Sequence, residues 1–255
     1  GTHAPAALRA GELAVKGQWH SLKLPALLPI IGSKGALLFQ AADKAKPAAA
    51  QAMQALAARL LATLPPGKLR FTFVDPVGLG QNVAAFMKLA DYDENLVTSK
   101  AWSEPHQIEQ QLAALNEQME NVIQKYLRAQ FKTIEEYNAQ AGEVAEPYRV
   151  LMVFDFPANF TEASARRLVS IAQNGPRCGV YTVVLVDTSK PLPYGFTLAD
   201  LEQGATVIAW DGQAWRWRDA DFKDHPLTLD APPSLELMDR IVETVGKQAR
   251  KSSEV

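Results

Sequence analysis

The sequence predicts an α/β protein: a three-layer α/β/α core with a mainly parallel sheet, followed by a C-terminal β-hairpin and helix. Three observations carry this expectation. Val150 to Phe154 is an unbroken apolar run between Pro147 and Pro157, and such runs are strands buried on both faces. Burial on both faces requires a parallel sheet with helices on either side. The runs alternate with amphipathic helical segments, an order that implies right-handed parallel crossovers. Finally, three of the apolar segments end on an acid, Asp75, Asp155 and Asp187. Strand ends of this kind point into the crevice where open α/β sheets bind ligands.

Residues 1–34 form a lead-in rich in Ala, Leu and Pro. Leu13 to Val15 and Trp19 to Leu22 are expected as short strands, with Pro25 and Pro29 stopping anything longer. Residues 35–191 form the core, with Leu37 to Phe39, Phe71 to Val74, Val150 to Phe154 and Tyr181 to Val186 as its parallel strands. After the first of these, Met53, Leu56, Leu60, Leu61 and Leu64 recur at helical spacing. Pro47 suits the first turn of that helix, and Pro65-Pro66-Gly67 ends it. Val83 to Leu89 reads as a short helix. Glu104 to Arg128 is the longest helix; Ile108, Leu112, Leu115, Met119, Val122 and Tyr126 form one stripe, expected to pack on its own domain. Thr133 to Glu136 opens a further helix with a capping-box pattern. Thr161 caps the helix that runs to Gln173, and Asn174-Gly175 closes it. Residues 192–255 carry the C-terminal elements. Thr206 to Trp210 and Ala214 to Trp217 flank Asp211-Gly212, a hairpin signal. Leu227 to Pro233 is extended, and Ser234 to Arg250 is an amphipathic helix.

Composition bounds the partners. The chain has 255 residues, 47% hydrophobic and 21% charged, with a formal net charge of -2. No overall basic field points to nucleic acid. Cys178 is the single cysteine, so no internal disulfide forms, in keeping with a reducing, cytoplasmic location. No apolar run approaches the ~20 residues of a membrane span. Gly1 and Thr2 stand where an initiating Met is absent, as expected of a cut from a longer protein or of a tag scar. His3, His20, His106 and His225 lack ligand spacing, and no catalytic or metal-binding set is evident.

Several stretches, in order, resemble the FtsK/SpoIIIE family of ring-forming DNA translocases and its relatives in type VII secretion. RFTFVDPVGLGQNVAAF is similar to that family's second core strand with its Asp-Pro turn. Glu117 to Glu120, Lys125-Tyr126 and Ile134 to Asn138 are similar to its long helix and the signature after it. EPYRVLMVFDFPANF resembles its Walker B strand, and ARRLVSIAQNGPRCGVYTVVLVDTSKP the following helix and strand. The resemblance runs from Gly35 to Pro191. It implies a P-loop NTPase-like fold of the RecA/FtsK type, with ATP and Mg²⁺ as the family's cofactors. Other domains of the same parent protein, further copies in a ring, and DNA are the implied partners.

The sequence departs from the family where the chemistry lies. A phosphate-binding loop needs glycines for backbone approach, a lysine for charge and a hydroxyl for Mg²⁺. The corresponding loop, Gln40 to Pro47, has no glycine. Lys46 stands at the lysine position, Pro47 at the hydroxyl position, and Asp43 adds negative charge. Phe156 replaces the acid expected after Asp155, and Ser189-Lys190 stands where a γ-phosphate sensor is expected. The chain therefore reads as a catalytically degenerate ATPase-like domain of a larger motor, acting in assembly and interaction, with no cofactor of its own. An ATPase with an atypical loop and an α/β interaction module of merely similar architecture are the alternatives. Lys44, Lys46 and Asp155 are the vestigial nucleotide contacts. The lysines are expected in a solvated loop, and Asp155 as an acid held by nearby backbone N–H groups. Asp75 and Asp187 end neighbouring strands, so the three acids could meet on one sheet edge. Trp215, Arg216, Trp217 and Arg218 are interaction candidates. Alternation puts the tryptophans toward the core and the arginines toward solvent.

Overall fold

The computed structural model describes residues 4–128 and 130–253; His3 and the two C-terminal residues lie outside them. Along the chain the elements are β1 (Leu8–Lys16), β2 (Ser21–Leu28), β3 (Leu37–Ala41), α1 (Lys46–Thr63), β4 (Leu69–Val74), α2 (Ala84–Met87) and α3 (Pro105–Val122). They continue with α4 (Ile134–Ala141), β5 (Tyr148–Phe156), α5 (Glu162–Asn174), β6 (Val180–Asp187), α6 (Leu198–Glu202), β7 (Thr206–Trp210), β8 (Trp215–Trp217), β9 (Leu227–Leu229) and α7 (Leu235–Ser253).

The strands form one sheet in the order β2-β1-β9-β8-β7-β3-β6-β5-β4. Its centre is parallel: β7 pairs with β3, β3 with β6, β6 with β5, and β5 with β4. The strands from β8 outward pair antiparallel, so the lead-in hairpin and the C-terminal strands extend the same sheet. Every residue of β3 and β6 is buried, as runs without polar alternation require. α1 packs on β1, β3 and β6 and against α7, while α3 packs on α5 and α5 on β6.

Three local expectations need correction. Pro25 does not stop a strand: β2 runs through it, opposite Glu12 of β1. β2 is at the sheet edge, where a missing N–H removes no ladder bond. The segment Val83 to Leu89 is not one helix, because short 3₁₀ turns at Gln81–Val83 and Lys88–Asp91 flank the single turn of α2. α3 buries Ile108, Leu112, Leu115, Met119 and Val122 as the stripe requires. It then widens into a π turn, Ile123–Leu127, which rotates the register so that Leu127 rather than Tyr126 is buried. Tyr126 instead packs on Tyr137, ring centres 4.3 Å apart. Thr161 caps α5 through a full capping box with Ser164.

Candidate functional site

The strand order fixes where a crevice opens. β3 leads through α1 toward the β4 edge, whereas β6, its neighbour, leads through α6 in the opposite direction to β7. With right-handed crossovers these connections leave to opposite faces, and the crevice lies outside the carboxyl ends of β3 and β6.

The chain between β3 and α1 is short. Ala42 is extended, residues 43–45 form one 3₁₀ turn, and α1 begins at Lys46 with Pro47 in its first turn. Asp43 takes a left-handed φ of 47°. Asp43 and Lys44 are exposed, whereas Lys46 turns inward. Its Nζ donates to Asp155 Oδ1 at 2.7 Å and to Asp187 Oδ2 at 2.8 Å. The solvated-loop reading thus fails for Lys46. Its ammonium ties the start of α1 to the ends of β5 and β6.

Each acid is set by its strand end. At Asp155 the β5–β6 register shifts between Val153 and Phe156, and the residue takes a φ of 56°. Asp tolerates that region better than most side chains. Asp155 is held by Lys46, not by backbone N–H groups as expected. Asp187 is the last residue of β6; Ser189 donates to its Oδ1 from N at 3.0 Å and from Oγ at 2.6 Å. Burial pushes the Asp187 carboxyl up, but the bonds from Lys46 and Ser189 outweigh it and hold the group below the usual carboxylate range. Burial likewise pulls the Lys46 ammonium down, and the two carboxylates more than reverse this. The trio carries one positive and two negative charges, a poor field for phosphate.

Asp75 does not join them. It is fully buried and braces its own loop, accepting from Gly78 N (3.2 Å), Gly80 N (3.0 Å), Asn82 N (3.1 Å) and Asn82 Nδ2 (2.9 Å). Glycine is required at 78, since a Cβ would lie 2.6 Å from Asp75 Oδ1. The three acids therefore do not converge, and no group able to hold a metal ion occurs among the described residues. Phe156 is fully buried, with ring centres 4.9 Å from Phe160 and 5.5 Å from Phe196.

On the hairpin, Trp215 is buried and meets Trp210 edge-on at 5.7 Å, and Trp217 stacks on Phe222 at 4.4 Å. Arg216 pairs with Asp211 at 3.0 Å, and Arg218 with Glu202 at 3.4 Å. The Asp211 carboxyl is drawn down to about 2 by the backbone N–H groups of Ala214 and Gln213, then by Arg216. Sequence reasoning missed Gln40, whose buried amide donates to Glu202 at 2.5 Å. It also missed the Lys46 bridge. The available signal was a lysine opening a helix, a position the helix dipole disfavours unless acids stand nearby.

In fold the chain is a mixed α/β domain similar to ATPase domains of known structure. It resembles the EssC structure (ATPases 2 and 3) from Geobacillus thermodenitrificans, with a TM-score of 0.64 and 14% identity over 98% of this chain and 49% of that one. It also resembles Thermomonospora curvata EccC (ATPases 2 and 3) in complex with a signal sequence peptide, with a TM-score of 0.66 and 13% identity over 97% and 47%. The pCW3 conjugation coupling protein TcpA, in monomer form with ATPγS, gives a TM-score of 0.56 and 12% identity over 96% and 59%. The chain spans about half the length of the EssC and EccC chains. No family model and no curated protein matches the sequence. At these identities the likeness is one of fold. No helix among the described residues is long and apolar enough to cross a membrane.

Proposed function

We propose that this chain is a catalytically degenerate, P-loop NTPase-like domain, three layers thick, of a larger FtsK/SpoIIIE-type motor. Its role is assembly and interaction, without ATP hydrolysis. The observation that carries the reading is Lys46, whose ammonium is committed to Asp155 and Asp187. A phosphate-binding loop works when several backbone N–H groups converge on phosphate at a helix N-terminus, with a lysine free to follow the charge. Here a glycine-free 3₁₀ turn replaces that loop, Pro47 offers no N–H, and Asp43 repels phosphate. Asp155, the Walker B-like acid, faces an ammonium in place of Mg²⁺. The position after it is filled by a buried phenylalanine, so no catalytic residue and no cofactor is assigned.

The coverage of about half of each two-ATPase structure supports a place within a longer polypeptide. The proposed partners are other domains of that polypeptide, neighbouring copies in a ring, and DNA or cargo, all on the cytoplasmic side. The β1–β2 hairpin offers an apolar edge suited to such contacts: Trp19, Leu22 and Leu24 are 82%, 58% and 46% exposed. Calorimetric titration with MgATP tests the reading. The expected result is no binding up to about millimolar nucleotide, well short of the ~8 kcal/mol that micromolar affinity requires. Saturable micromolar binding that disappears in Lys46→Ala would replace this reading with that of an ATPase with an atypical loop.

A further inference from the structure

At the opposite end of the sheet, near the amino ends of β4 and β5, two arginines stand side by side. Arg70 and Arg149 are register partners on these parallel strands, so both side chains leave the same face. α3 covers that face. Together with Thr72, Asn95, Gln111 and Gln118, the two arginines line a cavity of about 290 Å³. A second cavity, of about 830 Å³, shares Arg70 and Asn95 with the first and also contains Lys68.

The two guanidinium groups are not treated alike. Arg149 Nη1 donates to Glu146 Oε1 at 3.0 Å and to Pro147 O at 3.2 Å. Glu146 also takes Gln118 Nε2 at 3.2 Å on the same Oε1 and the Tyr126 hydroxyl at 3.3 Å on Oε2, with no bond from Arg70. Arg70 has no carboxylate partner among the described residues, and its Nε is buried without an acceptor. Besides Glu146, the acids Asp93, Glu94 and Glu143 line the two cavities. Asp93 is engaged by Asn95, whose N and Nδ2 both donate to its Oδ1 at 2.9 Å, and Glu94 is exposed at the rim. Burial pushes the Arg70 guanidinium below its usual range and the charge of Arg149 adds to this, against a smaller opposing pull from Glu146 and Asp93. A half-buried cation without a partner, beside a second cation, is costly unless something of opposite charge completes it.

We propose that the cleft between α3 and the β4–β5 face binds an oxyanion, a phosphate or a carboxylate, on the Arg70 guanidinium fork. The planar fork matches either group with two parallel N–H···O bonds. Arg149, already paired with Glu146, stands alongside, and Thr72 and Gln111 offer neutral donors from the cavity wall. The cleft lies away from the Lys46 crevice and does not depend on how that crevice is read.

The test follows the ¹⁵N resonance of Arg70 Nε, assigned by its loss in Arg70→Gln. Sodium phosphate and a blocked glutamate (N-acetylated, C-amidated) are titrated separately against sodium chloride of equal ionic strength. A saturable shift at millimolar concentration is expected for at least one probe. Phosphate alone acting points to a free phosphate-type ligand, and glutamate alone to an acidic side chain of a peptide. In chloride, Arg70→Gln is expected to melt no lower than the unaltered chain, because the residue removed has no partner there. Its melting temperature should also not respond to the probe that raises that of the unaltered chain. The proposal is overturned if neither probe shifts the resonance beyond chloride, if the melting response persists in Arg70→Gln, or if that variant melts lower in chloride.

Discussion

Replacing Lys46 with methionine removes the cation that Asp155 and Asp187 share and leaves the two acids facing each other. The side chains of Lys46, Asp155 and Asp187 are 22%, 11% and 3% exposed, so the bridge is largely shielded. Taking one partner from a buried pair costs roughly 3–5 kcal/mol. Water reaching the lysine position relieves part of this, and we expect a loss of about 2–4 kcal/mol at pH 7. In a chain of this size that is a fall of roughly 5–15 °C in Tm. The pH dependence follows from the two shifted groups. The Asp187 carboxyl lies below its ordinary 3.8, so its contribution is present above that pH and is lost as pH falls through the folded value. The Lys46 ammonium lies above its ordinary 10.5, so its contribution is complete below that pH and is lost as pH rises through the folded value. The gap between Lys46→Met and the unaltered chain should therefore be widest between these limits and shrink in acid, where the stranded carboxylates take up protons. Urea unfolding followed by circular dichroism at pH 7 and pH 3 measures this. Adding Asp155→Asn and Asp187→Asn to Lys46→Met should restore at least half of the loss. A Lys46→Met chain with unchanged stability, or a triple variant with no recovery, would refute the bridge as a structural device.

Two further outcomes follow from the packing. Asp75→Ala removes four hydrogen bonds from the loop at residues 78–82 and should cost about 2–4 kcal/mol, with hydrogen exchange rising first in that loop. Unchanged exchange there would contradict the bracing role. Leu115→Asp buries a charge on α3 and should cost several kcal/mol in thermal melts. If that variant kept its Tm and changed its oligomeric state in light scattering, the stripe would be a partner surface instead.

The strands of the parallel block were legible because β5 and β6 have no polar alternation to explain other than by burial on both faces. The long helix was legible through Leu112, Leu115 and Met119, but its end was not. A π turn is set by tertiary packing, and nothing local announces one. Pro25 misled because a proline in isolation does not say whether its strand lies at an edge. The Lys46 bridge was hidden for a different reason. Its partners lie 109 and 141 residues away, and they meet it only because β6 inserts between β3 and β5. Local reasoning judged the loop by its missing glycines and took its lysines as solvated. That holds for Lys44 and fails one helical step later. Asp75, Asp155 and Asp187 looked equivalent as strand-end acids, yet Asp75 is satisfied within its own loop by glycines the sequence did display.

Held by Asp155 and Asp187, the Lys46 ammonium has no free charge to offer a nucleotide phosphate. The most direct measurement is the ¹⁵N resonance of the Lys46 side chain, assigned with Lys46→Met and followed as MgATP is added to millimolar concentration. A lysine held between Asp155 and Asp187 should keep its resonance unchanged throughout. A saturable shift of that resonance, absent with MgCl₂ alone, would mean that Lys46 leaves the acids for phosphate and would contradict the account.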